Sequence, residues 1–206
     1  MIMKKIAIVL TVAATIAGCA TMTAETDYGK AAIAMMKSDF KSKGPATLER
    51  VLKQDEAQAL CSEYPSDVPK DKAAALEASQ LKTIKYPADG KYLGNWKEGE
   101  KVAQNGRGMQ SSDKVGSVNG GNCYACHQIS KEEISFGNIG PSLYQYGKLR
   151  GQSEDMMKYT WAKIYNAQAF TACSNMPRFG HNGILEEKQI KDVMALLLDP
   201  ASPVNK

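Results

Sequence analysis

The chain has 206 residues and a mass of 22.4 kDa, is 43% hydrophobic and 23% charged, and therefore suits one globular domain or two small ones rather than a disordered tail or a collagen-like rod. Its formal charge is +4, from 26 Lys and Arg against 22 Asp and Glu, with no basic block, so it lacks the footprint of a nucleic-acid binder. With five Cys and two His, any metal or redox chemistry must use few ligands.

Residues 1–18 read as an export signal: Lys4 and Lys5 precede an apolar run from Ile6 to Ile16 that is too short to span a bilayer as a helix. Two processing patterns fit the residues at its end. Ile16-Ala17-Gly18-Cys19 resembles a bacterial lipobox, which would make Cys19 the lipidated first residue, while the small residues Gly18 and Ala20 also fit ordinary cleavage after Ala20. Both put the mature chain outside the cytoplasm, in the periplasm, and no later apolar run approaches a membrane span.

Residues 19–91 read as a helical extension. Between Tyr28 and Tyr86 the chain is rich in Ala, Lys, Glu and Gln and is punctuated by Gly44-Pro45, Pro65 and Pro69, which predicts three helices. The second places Leu48, Val51, Leu52 and Ala59 on one face, and the third Ala73, Leu76 and Gln80. A turn at Pro87-Ala88-Asp89-Gly90 separates this wrapper from residues 92–206, a comfortable size for one compact domain.

That domain opens with an amphipathic segment from Trp96 to Met109 and a Gly-rich loop through Gly116, Gly120 and Gly121, followed by Cys123-Tyr124-Ala125-Cys126-His127. A Cys-x-x-Cys-His run is the attachment signal of a c-type haem, the two thiols adding to the porphyrin vinyl groups and the adjacent imidazole binding the iron. Cys123 and Cys126 are then the thioether anchors of one covalently attached haem c, and His127 its proximal ligand. A zinc site would need about two more ligands, and Cys61, Cys173 and His181 show no pairing to provide them. A thioredoxin-like pair would want a strand before the motif and a helix after it, where Gly120-Gly121-Asn122 and Gly137 stand.

Downstream, Asn138-Ile139-Gly140-Pro141 offers a carbonyl to the imidazole Nδ1 hydrogen, which would fix the tautomer. Further on, Ser174-Asn175-Met176-Pro177 puts a thioether on a loop stiffened by proline, and Met176 is the candidate distal ligand, with His181 and Cys173 as its competitors. Met156 and Met157, in a helix opened by Ser153, and Met194 read as packing; Met109 could reach the iron only if the Gly-rich loop folds back. The last helix is the clearest element: Ile190, Val193, Met194, Leu197 and Leu198 follow helical spacing, Glu186 and Glu187 favour its start and Pro200 stops it. Its expected mate is the Trp96 to Met109 segment, with Gly106 permitting close approach.

Two terminal helices around the order Cys-x-x-Cys-His, Gly-Pro and Met resemble class I cytochromes c, so the expected fold is all-α, a class I cytochrome c domain with a helical N-terminal extension. The likeness goes further. Gly120 to His127, Asn138 to Leu143 with Tyr146-Gly147-Lys148, the run Cys173-Ser174-Asn175-Met176-Pro177-Arg178-Phe179-Gly180-His181-Asn182-Gly183-Ile184-Leu185, and the closing Leu198 to Asn205 resemble the SoxX family, the monohaem subunits of SoxAX cytochrome complexes. The resemblance covers the chain from about Trp96 to its end. It implies a His/Met-ligated haem and a partner, a SoxA-like cytochrome subunit, in an L-cysteine S-thiosulfotransferase that joins thiosulfate oxidatively to a cysteine of the SoxYZ carrier. This chain would pass electrons to a downstream acceptor without being catalytic by itself; a free periplasmic electron carrier is the alternative.

Cys61 and Cys173 are the thiols left over, and in an oxidising compartment such a pair forms a disulfide or stays as two free thiols. Tyr146, Arg150 and Trp161 are candidates for haem propionate contacts, since each combines a planar body with a polar donor.

Overall fold

The computed structural model describes residues 27–206. The export signal and the Cys19 lipobox lie outside the described residues. Helix α1, Tyr28–Asp39, forms one unit with the residues up to Phe40; its N-cap Asp27 accepts the Lys30 amide at 3.0 Å.

The remainder, residues 41–206, is a second unit. It runs α2 (Leu48–Leu52), α3 (Glu56–Glu63), α4 (Lys70–Leu81), α5 (Trp96–Gln104), α6 (Tyr146–Arg150), α7 (Glu154–Tyr165) and α8 (Glu187–Leu198), with 3-10 turns at Cys123–Ala125, Ala167–Ala169 and Pro203–Asn205. No strand occurs among the described residues; Lys43 and Ala46 form an isolated bridge. The fold is all-α, as expected. No helix among the described residues is long and apolar enough to cross a membrane.

The crossing of α5 and α8 is the centre of the unit. Ile190, Val193, Met194, Leu197 and Leu198 are all buried, as their spacing predicts. Gly106 is not the residue that lets the two backbones meet, because it lies beyond the end of α5 and faces the Asn122 side chain. Gly99 takes that role: a Cβ there would overlap the Asp192 carbonyl oxygen of α8. The crossing is pinned by hydrogen bonds as well. Gly94 donates to Lys191 O at 2.9 Å, and the buried Asp192 carboxylate accepts the Asn95 amide at 2.8 Å while pairing with Lys188 at 2.6 Å. The α8 carboxylate thus supports the start of α5.

At the other end of α8, Asn205 Nδ2 donates to Leu197 O and Asp199 O (3.1 and 3.0 Å), while its Oδ1 accepts the Gly147 and Lys148 amides that open α6 (2.8 and 3.2 Å). Ser202 Oγ donates to Leu196 O at 2.6 Å. One buried amide therefore serves the last carbonyls of one helix and the first amides of another.

In the segment before residue 92, the expected helix through Leu48 and Ala59 is two. Lys53 is extended and closes α2, and Asp55 opens α3 with its own capping box to Gln58. The break turns the predicted face, so that Val51 and Ala59 are exposed and Ala57 is buried instead. In α4 the spacing holds: Leu76 and Gln80 are both buried. Trp161 Nε1 donates to Lys85 O at 2.9 Å, and Tyr92 meets the Trp161 ring edge-on at 5.9 Å. These contacts join residues 41–91 to the same core as the terminal helices.

Gly99→Ala should force α5 and α8 apart and cost more than about 2 kcal/mol of unfolding free energy, as overpacking between backbones does. Gly106→Ala, whose Cβ stops 3.3 Å from the Asn122 side chain, should cost less. Urea unfolding of the two variants checks this, and equal losses would move the crossing point away from Gly99.

Candidate functional site

The Cys-x-x-Cys-His motif hangs from the end of α5. Gly121 donates to Val102 O at 2.8 Å and Asn122 to Asn105 O at 3.0 Å, and a Cβ on Gly120 would overlap the Asn105 carbonyl. Asn122 then turns the chain in the left-handed region (φ 48°), which asparagine tolerates, and Cys123–Ala125 form a 3-10 turn. The Cys126 and His127 amides both donate to Cys123 O, at 3.1 and 2.9 Å. Both thiols and the imidazole are thereby carried on one tight turn.

Cys123 and Cys126 have no disulfide partner among the described residues. Burial pushes the Cys123 thiol up to about 12, with a backbone hydrogen bond opposing and the Cys126 and Glu100 charges reinforcing the rise. A thiol held neutral in this way is a poor redox nucleophile and a poor zinc thiolate. Among the described residues no group of three or more His, Cys, Asp and Glu side chains is arranged to hold a metal ion by itself.

His127 is held as its sequence context predicts. Nδ1 lies 2.7 Å from Pro141 O; a carbonyl only accepts, so Nδ1 carries the proton and the Nε2 lone pair is left for a metal. Gly140 lies against the ring so closely that a Cβ would overlap it, and the Gly140 amide donates to Cys126 O at 2.8 Å. The segment Asn138 to Pro141 is thus more than a turn: it fixes the orientation of the imidazole.

Met176 is half-buried and packs against the same apolar cluster as Cys123, together with Leu143, Tyr146 and Met157. Its loop has little regular structure and is tied down on both sides. Cys173, with φ 58°, is joined to Cys61 of α3 by a disulfide (S–S 2.02 Å), which consumes its sulfur and removes it from the ligand candidates. Arg178, buried, pairs with Asp55 at 2.6 Å and lies 3.4 Å from Gln80 Oε1. The Ala172 amide donates to Glu77 of α4 at 2.9 Å. Burial raises Asp55, but the Gln58 amide and the Arg178 guanidinium outweigh it and hold the carboxyl below its ordinary value. His181, the other competitor, is half-buried beside this pair; burial and Arg178 push it down against the pull of Asp55.

The remaining expectations divide. Met194 is fully buried in the core, and Ser153 caps α7 by accepting the Met156 amide at 3.2 Å. The polar ends of Tyr146 and Trp161 are engaged elsewhere, with Thr160 Oγ1 at 2.9 Å and with Lys85 O, and Arg150 is exposed. Sequence reasoning missed Glu100, whose Oε1 accepts from the hydroxyl of buried Tyr124 at 2.9 Å. Its position one helical turn before buried Ala103 was the available signal.

The residues present fit a covalently held haem: two free thiols and an imidazole with a fixed tautomer on one turn, and a thioether packed against the same apolar cluster as Cys123. Replacing the Cys61/Cys173 pair by Ala opens a link across a sequence separation of 112, which should cost about 5 kcal/mol on the chain-entropy account. Urea unfolding of the double variant measures it, and a loss under about 1 kcal/mol would mean that Arg178 and Asp55 hold the loop unaided.

The cytochrome c family profile matches residues 96–199, from the first residue of α5 past the end of α8. A protein of Aquifex aeolicus (strain VF5), described as an uncharacterized lipoprotein, is 37% identical over 207 residues, covering 98% of this chain and 98% of its own length. The matched profile spans the crossing helices and all of the anchoring residues between them, and the chain belongs to the cytochrome c family.

Proposed function

We propose that this chain is the monohaem SoxX-type subunit of a SoxAX complex, relaying electrons released when thiosulfate is joined to a cysteine of a SoxYZ carrier. The observation that carries the electron-transfer part is the pairing of a tautomer-fixed His127 with two free thiols on the Cys123–Ala125 turn. The finer assignment is supported by the likeness of Cys173 to Leu185 and of the closing segment to the SoxX family. It is also supported by the tethering of the Met176 loop to α3 and α4, for which a small diffusing carrier has no need.

Haem c, when bound, supplies a one-electron ferric/ferrous couple. The Cys123 and Cys126 sulfurs would hold it as thioethers, and His127 Nε2 and the Met176 thioether would both bind its iron, so that bond formation would fall to the SoxA-like partner. Pro141 O keeps the proton on Nδ1, so the ring stays a metal ligand through turnover. Joining the thiosulfate dianion to a thiol releases two electrons and one proton, the thiol's own, and this chain takes the electrons one at a time toward a downstream acceptor. The full-length likeness to a protein described as a lipoprotein, together with Gly18-Cys19, supports an exported chain anchored at Cys19 on the periplasmic side.

Ligation is checked by the near-infrared Met-to-ferric charge-transfer band, expected to vanish in Met176→Ala and to persist in Met109→Ala and His181→Ala. Persistence in Met176→Ala would remove the thioether from the iron. The assembly is checked by affinity purification from thiosulfate-grown cells: a second c-type cytochrome should co-purify in equal amount. A solitary protein would favour the free carrier.

A further inference from the structure

Helix α5 carries a carboxylate in an unusual setting. Glu100 Oε1 accepts from Tyr124 OH at 2.9 Å and from Gln104 Nε2 at 2.8 Å, while Oε2 is buried with no hydrogen-bond partner among the described residues. An ionised carboxylate with one oxygen out of reach of water is costly, and its neutral form is far less so. The surrounding charges lean the same way. Burial raises the carboxyl, the Tyr124 hydrogen bond opposes that, and Glu132 and Glu133 on the loop after the Cys motif raise it further. Of the lysines around α5, Lys101 pairs with Glu98 at 2.8 Å and Lys188, on the helix packed against α5, pairs with Asp192 at 2.6 Å, while Lys97 lies over the Trp96 ring.

The hydrogen-bond partners are arranged to serve both protonation states. Tyr124 OH also lies 3.1 Å from Ser130 Oγ, and one hydroxyl proton cannot serve both acceptors. With Glu100 ionised, Tyr124 donates to it and Ser130 donates to Tyr124. With Glu100 protonated, Tyr124 turns its proton to Ser130 without moving a heavy atom. A cleft of about 410 Å³, lined by Gln104, Tyr124, Glu133 and others, reaches the two partners of Glu100 from solvent.

This cluster is joined directly to the cofactor anchor. Tyr124 is bonded through its peptide to Cys123, and the charge on Glu100 is felt at the Cys123 sulfur. We propose that Glu100 is a redox-linked proton site, taking one proton from the water of the cleft for each electron that the iron held by His127 accepts, and returning it when the electron leaves. The inference rests on the haem reading of the site. The electron comes from the partner that donates to this chain, the carboxylate becomes a neutral carboxyl, and the only bond made is O–H. The added electron strengthens proton binding at a half-buried carboxylate with one oxygen out of reach of water, where solvent screens only part of the effect, and by reciprocity bound protons strengthen electron binding.

The test uses the purified haem-loaded protein. Midpoint potential is followed against pH by spectroelectrochemistry in the native protein, Glu100→Gln and Tyr124→Phe, with redox-difference infrared spectra of the native protein and Glu100→Gln. The native potential should fall as pH rises through the carboxyl titration and level off on either side, with the titration midpoint at higher pH in the ferrous form than in the ferric. Glu100→Gln should flatten this step, and Tyr124→Phe should shift it without abolishing it. Reduction should bring up a protonated-carboxyl stretch in the native protein that is missing in Glu100→Gln. The same profile in native and Glu100→Gln, with no carboxyl band, overturns the proposal while leaving the haem reading intact. A protein that attaches no haem overturns both.

Discussion

Two helix backbones passing in contact decide where the rest of this molecule can go. Gly99 lies under the Asp192 carbonyl without a side chain to hold it off, and the Asp192 carboxylate, buried, is matched by the Asn95 amide on one oxygen and Lys188 on the other. A buried carboxylate without such partners would oppose the crossing. With them it fixes both the distance between α5 and α8 and the residue at which α5 begins. The far end of α5 then presents the Val102 and Asn105 carbonyls, from which Gly121 and Asn122 hang the Cys motif. The site of attachment inherits its position from the crossing.

The opposite flank is built on another principle. The chain from Ala172 to His181 contains no α-helix and draws its order from the preceding segment. Cys61, Asp55 and Glu77 hold Cys173, Arg178 and Ala172, while Asn166 Nδ2, linked to Gln80 Oε1 and Thr83 Oγ1 at 2.9 Å each, ties the end of α7 to α4. A loop placed by several independent links holds the Met176 side chain at small entropic cost, as its proposed role as an iron ligand requires. The helices of residues 41–91 position Met176 as α5 positions His127.

Much of this was legible in the sequence where a residue type has one dominant use. The spacing of Ile190 to Leu198, the Ser153 cap and the Pro141 carbonyl each follow from local rules, and each is found; of the two readings open for leftover Cys61 and Cys173, the disulfide is the one that forms. What escaped depends on partners distant in the chain. Gly106 and Gly99 look alike in sequence, and only the register of α8 selects between them. Asp192 sits in an apolar helix face and becomes sensible once Asn95 is seen to donate to it. The break between α2 and α3 is local but ambiguous, since Asp55 reads equally well as a residue inside a helix until its capping box to Gln58 is formed.

Tyr124 shows how far the motif reaches beyond its thiols and imidazole. Attachment chemistry places no demand on the two residues between the cysteines, and an apolar side chain at 124 would fill the core without needing a partner. A phenol stands there instead, buried and joined to Ser130 and Glu100. Buried polar groups are retained at no loss when every donor and acceptor is satisfied, and Glu100 Oε2 is not. Stability therefore does not account for this cluster. A carboxylate with one oxygen buried and unpaired, next to the peptide that carries Cys123, sheds the cost of its buried charge by taking a proton, and that gain grows when a negative charge arrives nearby.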